Sequence, residues 1–132
     1  MNREIKFRVW DRKEKKMIYY SPDVEEYDLV PFLTLAGEFV WIEYGDRDWI
    51  DRDEAVIMQY IGIKDRNGKE IYEGDMVYNG NGYRKVDWVG TGFRFVDIYG
   101  GGEDIEPTAN EVKNWEVVGN IFEDAEFFNK KI

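Results

Sequence analysis

The chain has 132 residues, 43% hydrophobic and 17% aromatic, with 28 acidic against 18 basic side chains and a formal net charge of −10. That length fits a single domain and can build a core without staples. Histidine and cysteine are both absent, which excludes disulfides, thiol and Ser-His-Asp nucleophiles, and zinc sites. The acidic total also argues against a general nucleic-acid binder, whose affinity rests largely on neutralised phosphates.

The charge is unevenly distributed. Residues 1–20 carry seven Lys/Arg against three Asp/Glu, whereas residues 21–56 carry two against eleven and residues 100–132 three against eight. At the N-terminus, "MNREIKFRVW" puts Arg3, Glu4, Lys6 and Arg8 where a secretory signal needs an apolar run. No apolar stretch approaches the ~20 residues of a membrane span. A cytoplasmic protein with no membrane partner is expected.

In chain order, "EIKFRVW" alternates, with Ile5, Phe7 and Val9 on one face and Lys6, Arg8 and Trp10 on the other. This pattern predicts a half-buried strand. "DRKEKK" is a polar turn and "MIYY" a return strand, giving a hairpin over residues 4–20. Ser21 and Pro22 read as the cap and first position of a short helix, against which Val24 and Pro31 count. "GEFVWIEYG" predicts a strand, and "GDRDWIDRDE" an acidic connection. Short strands then follow over 55–64, 69–78, 84–89, 93–99 and 115–122, punctuated by Gly, Asn and Asp. The tail "EDAEFFNKK" closes with a helical turn. The fold class expected is mainly β: short strands that favour a small barrel or sandwich in the C-terminal half, an N-terminal β-hairpin and an acidic segment between them.

"IKDRNGKEIYEGDMV", residues 63–77, collects Asp65, Glu70, Glu73 and Asp75 around two glycines. As a calcium loop beginning at Asp65 it fails, because Lys69 falls on a ligand position. No phosphate-cradling G-x-x-x-x-G-K-[ST] or G-x-G-x-x-G occurs. As a hairpin it works. A two-residue Asn67-Gly68 loop would set Asp65 opposite Glu70, and like charges facing each other are destabilising. A type I turn over Asp65, Arg66 and Asn67 with Gly68 at positive φ instead pairs Asp65 with Lys69, Lys64 with Glu70 and Ile63 with Ile71. On that reading Asp65 belongs to an exposed charge pair worth about 0–1 kcal/mol. Gly74 permits a bend in "YEGDMV", and Asp75 can accept from nearby backbone amides. Asp65, Asn67, Gly68 and Gly74 are therefore structural turn residues.

Three phrases together resemble the YopX family of phage- and prophage-encoded proteins: "REIKFRVWDRKEKKM", "MQYIGIKDRNGKEIYEGDMV" and "WEVVGNIFED". Val9 and Ile61 stand where that family more often has Ala and Thr, and Asp124-Ala125 replaces a usual Asn-Pro. The resemblance implies an SH3-like β-barrel in residues 56–132, with residues 1–55 forming the hairpin and variable acidic segment that pack on it. It implies a bacterial host cell and no activity, cofactor or catalytic residue. The family residues Asn67, Gly68, Gly74 and Gly119 are explicable as turn, strand and core positions.

The reading favoured is a non-enzymatic protein-interaction module whose partner is a host or phage protein. The alternative is single-stranded nucleic-acid binding through Lys6, Arg8 and Trp10 on one strand face, with Lys13, Lys15 and Lys16 around its turn. An enzyme is least favoured. Asp46, Asp48, Asp51, Asp53 and Glu54 are the acids from which a carboxylate pair or Mg²⁺ site would be drawn, and a solvated acidic loop is the favoured account of them. No metal or organic cofactor is expected. Trp10, Trp41, Trp49, Trp88 and Trp115 are each read as core rather than as contact residues.

Overall fold

The computed structural model describes residues 4–19, 54–100 and 102–129. The expected helix at Ser21, the strand over 37–45, Trp41, Trp49, Asp46, Asp48, Asp51 and Asp53 lie outside the described residues. Among the described residues the protein is mainly β. Its antiparallel strands are β1 (Phe7–Asp11), β2 (Lys16–Tyr19), β3 (Ala55–Lys64), β4 (Glu70–Tyr72), β5 (Asp75–Tyr78), β6 (Tyr83–Val89), β7 (Gly92–Val96) and β8 (Glu116–Asn120). A 3-10 turn (Glu111–Asn114) precedes β8, and a short helix α1 (Ala125–Asn129) follows it. The chain divides into two compact units, Lys6–Met58 and Gln59–Ile132 with Met1–Ile5.

In the N-terminal unit β1 and β2 form the expected hairpin, with Val9 opposite Ile18 and Asp11 opposite Lys16. Asp11 organises the turn, its Oδ1 accepting from the amides of Lys13 at 3.0 Å and Glu14 at 3.1 Å. The amide of Arg12 donates to the carbonyl of Glu54 at 2.8 Å. The half-buried strand is corrected, because β1 is buried on both faces: Arg8, Val9, Trp10 and Asp11 are all inaccessible. Alternation reports where a side chain points, and says nothing of what covers it. Arg8 tolerates burial because both terminal nitrogens of its guanidinium have partners. Nη1 donates to the Tyr19 hydroxyl at 3.3 Å, Nη2 lies 3.7 Å from Met58 Sδ, and the group sits 5.9 Å from the Tyr19 ring centre.

In the C-terminal unit β7, β6, β5 and β8 form one sheet in that order. Its core is Ile71, Val77, Val86, Phe95, Val112 and Trp115, with Ile61, Ile63, Ile105 and Val117 against it. Phe95 meets Trp115 edge-on, with centroids 5.4 Å apart, an arrangement worth about 0.5–1.5 kcal/mol beyond burial alone. The indole N–H of Trp115 donates to Glu111 Oε1 at 2.9 Å, so the largest core side chain buries no orphaned donor.

The 65–68 turn takes the three-residue form. Gly68 N–H donates to Asp65 O at 3.0 Å, Asp65 N–H to Lys69 O at 2.8 Å, and Gly68 has φ +82°. Lys64 pairs with Glu70, but the next rung is Tyr60 with Tyr72. Ile61, Gly62 and Ile63 therefore span Ile71 alone, and Ile63 does not simply face it. Gly62, at φ +93°, absorbs the bulge.

Asp65 is also not half of an exposed pair. It is 7% exposed. Its Oδ1 accepts from the amides of Asn67 (2.8 Å) and Lys69 (2.9 Å), and its Oδ2 from Val117 (2.8 Å). Arg66 N–H donates to Trp115 O, and the Glu116 carboxylate takes Arg66 Nη2 at 3.0 Å and Asn67 Nδ2 at 3.2 Å. The turn is a clasp between the β3–β4 hairpin and β8.

At the next bend Tyr72 N–H donates to buried Asp75 Oδ2 at 2.8 Å. Gly74 N–H reaches Val86 O, and Gly74 O accepts from Ile121 N–H, both at 2.9 Å. Beyond β8, Asn120 Oδ1 accepts from the amides of Phe122 and Glu123, and Asp124 Oδ2 accepts from Asn120 N–H. This turn starts α1, whose Phe128 is buried.

Candidate functional site

Of the basic cluster read from the sequence, Lys13, Lys15 and Lys16 are exposed around the β1–β2 turn and Lys6 is half-buried. Arg8 and Trp10 are 3% and 8% exposed, which corrects their place in a solvent-facing patch. A base cannot stack on a ring that is already covered, so the platform half of that reading is absent while the charged rim remains. Asp65, Asn67, Gly68 and Gly74 sit in the turns described above, each engaged with backbone or with β8. Glu54 is half-buried. Among the described residues no three acidic side chains converge as metal ligands would, and no helix is long and apolar enough to cross a membrane.

The C-terminal unit carries an open groove of about 590 Å³. Bulged β3 contributes Gln59, Ile61, Gly62 and Ile63 to its lining, the β6–β7 hairpin Trp88 and Thr91 to Arg94, and the following segment Glu106 and Pro107. The two halves arise differently. Gly90 and Thr91 make a two-residue turn between Val89 and Gly92, Gly90 supplying φ +63°. That tight turn sets Trp88 opposite Phe93. The rings meet edge-on at 4.9 Å, and the indole N–H closes on Gly90 O at 3.1 Å. Trp88 is nonetheless 51% exposed, a tryptophan fixed in place with half its surface facing water, and not the core residue expected.

Two charged side chains line this groove. Arg94 turns its Nη1 back onto Phe93 O at 2.8 Å and makes no ion pair among the described residues. Glu106 is exposed. At its β3 end Gln59 and Glu73 are locked reciprocally: Gln59 N–H donates to Glu73 Oε1 and Glu73 N–H to Gln59 O, both at 2.9 Å. Burial pushes the Glu73 carboxyl above the usual range, the Gln59 amide opposes this, and Asp87 adds to it. Next to the hairpin, Asp97 accepts from Tyr99 N–H and from Gly102 N–H, and these bonds lower its pKa. The groove offers apolar surface, one guanidinium and one carboxylate.

Sequence alone reads Trp88 as core and gives Phe93 and Arg94 no role. The available signal was "WVGTGFR", a turn too short to hide the aromatic residues on either side of it. No curated protein matches the chain. Its structure resembles the crystal structure of protein EF1440 from Enterococcus faecalis, with a TM-score of 0.68 over 96% of this chain and 99% of that one. Their sequences are 23% identical, so the likeness is one of fold. The family model described as YopX protein matches residues 6–129. The chain belongs to the YopX family.

Proposed function

We propose that this protein is a non-enzymatic interaction module of phage or prophage origin, acting in the bacterial cytoplasm, and that its groove docks a host or phage protein. On this reading the C-terminal unit is a small SH3-like barrel, supported by its short antiparallel strands and the 3-10 turn before the last of them. The observation that carries the docking role is Trp88, half exposed yet held by Phe93 and by its own hydrogen bond. A pre-positioned aromatic loses little entropy on binding, and such residues dominate interface energetics.

The nucleic-acid alternative retains only exposed lysines, because Arg8 and Trp10 are enclosed. The two readings separate in one experiment: affinity capture from producing cells, quantifying co-purified protein and nucleic acid for three chains. Trp88→Ala with Arg94→Glu is expected to lose the partner that the unaltered chain retains. Lys13→Glu with Lys15→Glu and Lys16→Glu is expected to retain it. A chain that captures nucleic acid, and loses it only with the lysine changes, would overturn the proposal.

A further inference from the structure

Resting on the groove reading above, we propose that the occupant is an extended segment of the partner protein. It adds as a strand to the open edge of β7 and carries an acidic side chain for Arg94.

The backbone of β7 supplies the argument. In an antiparallel pair, residues alternately exchange both hydrogen bonds with the partner strand or turn them outward. Phe95 turns outward: its N–H donates to Ile105 O and its carbonyl accepts from Ile105 N–H, both at 2.8 Å. Phe93, two residues earlier, has the same parity and faces Trp88 across a rung without hydrogen bonds to β6. Continuing the Phe95–Ile105 register, the residue opposite Phe93 would be Pro107, which has no N–H to give. The chain leaves the edge there, with Thr108 N–H turning onto Glu106 O at 2.9 Å. The protein's own segment thus makes one rung on β7 and stops where the groove begins. By this parity the Phe93 N–H points away from β6, and no backbone bond outside the strand ladders takes it among the described residues.

Arg94 sets the chemistry of the occupant. Its guanidinium covers the Phe93 carbonyl at 2.8 Å, which blunts the edge against indiscriminate pairing, as natural sheet edges require. A carboxylate on the incoming segment offers that guanidinium a stronger, charge-assisted partner. Drawing Arg94 away also uncovers the carbonyl for the segment's own N–H. The acid therefore acts twice, as a contact and as the release of the acceptor. Strand addition of this kind takes affinity from main-chain bonds and selectivity from alternate side chains.

A displayed library of random twelve-residue peptides, selected on the full chain, tests this. Selected peptides are expected to carry Asp or Glu, and at saturation to slow exchange of the Phe93 amide at least tenfold. Phe93→Pro, which keeps the β6 ladder but removes the outward N–H, is expected to weaken binding about tenfold more than Phe93→Leu. Arg94→Ala should abolish the acidic preference and keep the Phe93 protection. Peptides that need Trp88 but leave the Phe93 amide unprotected would overturn strand addition and leave the docking groove standing. No Trp88-dependent peptide at all would overturn the groove reading beneath it. Protection of Phe93 that grows with protein concentration, without peptide, would make the occupant a second copy and overturn the proposal.

Discussion

Replacing Asp65 by alanine removes three acceptor bonds at once: to the amides of Asn67, Lys69 and Val117, at 2.8–2.9 Å. Hydrogen bonds to a charged group contribute about 1.5–3 kcal/mol each where water cannot substitute, and nearer 0.5–1 kcal/mol where it can. Asn67 and Lys69 are exposed, so water can reach their amides. Val117 belongs to the packed start of β8, and its donor loses most. Adding one large and two small contributions gives a loss of about 3–4 kcal/mol, a fall in midpoint of roughly 10–15 °C for a chain of this size. Asp65→Asn sharpens the test. An amide oxygen can replace Oδ1, but its NH₂ would then confront the Val117 N–H donor to donor, so this variant should lose about 2 kcal/mol. Urea unfolding of the three proteins at neutral pH measures both values. A loss below about 1 kcal/mol for both variants would refute the clasp and restore the exposed charge pair.

Other outcomes follow from the same geometry. Gly68→Ala should lose about 1 kcal/mol, because an added Cβ meets no atom within 4 Å and only its φ of +82° is unfavourable. Gly119→Ala should lose more, since its Cβ would stand 2.6 Å from Asp124 Oδ2 and 3.3 Å from Phe128; urea midpoints of the pair give the order. Glu73→Gln isolates a pH effect. Burial raises this carboxyl in the folded state, so its contribution is fully present below the ordinary glutamate pKa and is lost as pH rises through the raised value. The variant keeps an acceptor for Gln59 and cannot ionise. Its stability relative to the unaltered chain should therefore grow between pH 4 and pH 7 in paired denaturation curves, and a flat difference would contradict the assignment. Trp88→Ala should shift the unfolding midpoint little, about 1 kcal/mol or less for a half-exposed ring, yet abolish partner capture.

The 65–68 turn shows how far sequence alone reaches. Like-charge repulsion between Asp65 and Glu70 was enough to choose the turn type, because every group involved lies within six residues. The bond from Val117 to Asp65 spans 52 residues. No local pattern encodes it, and it converts an apparently solvated acid into a clasp. Arg8 fails the same way: alternation placed it on a face, while its burial depends on Met58, fifty positions away. The bulge at Gly62 carried a signal in its glycine, but two isoleucines around it read equally well as a regular strand. The groove was illegible because it needs β3, the β6–β7 hairpin and Pro107 together, and only the fold joins them.

The central claim, docking of a protein at the Trp88 groove, is tested most directly by site-specific photo-crosslinking in producing cells. One chain carries p-benzoylphenylalanine in place of Thr91, an exposed residue of the groove lining, and another carries it in place of Lys13 on the β1–β2 turn. The account predicts a discrete crosslinked protein from the position of Thr91, lost when Trp88→Ala and Arg94→Glu are added, and no such product from the position of Lys13. Nucleic acid crosslinked at Lys13, with nothing at Thr91, would contradict it.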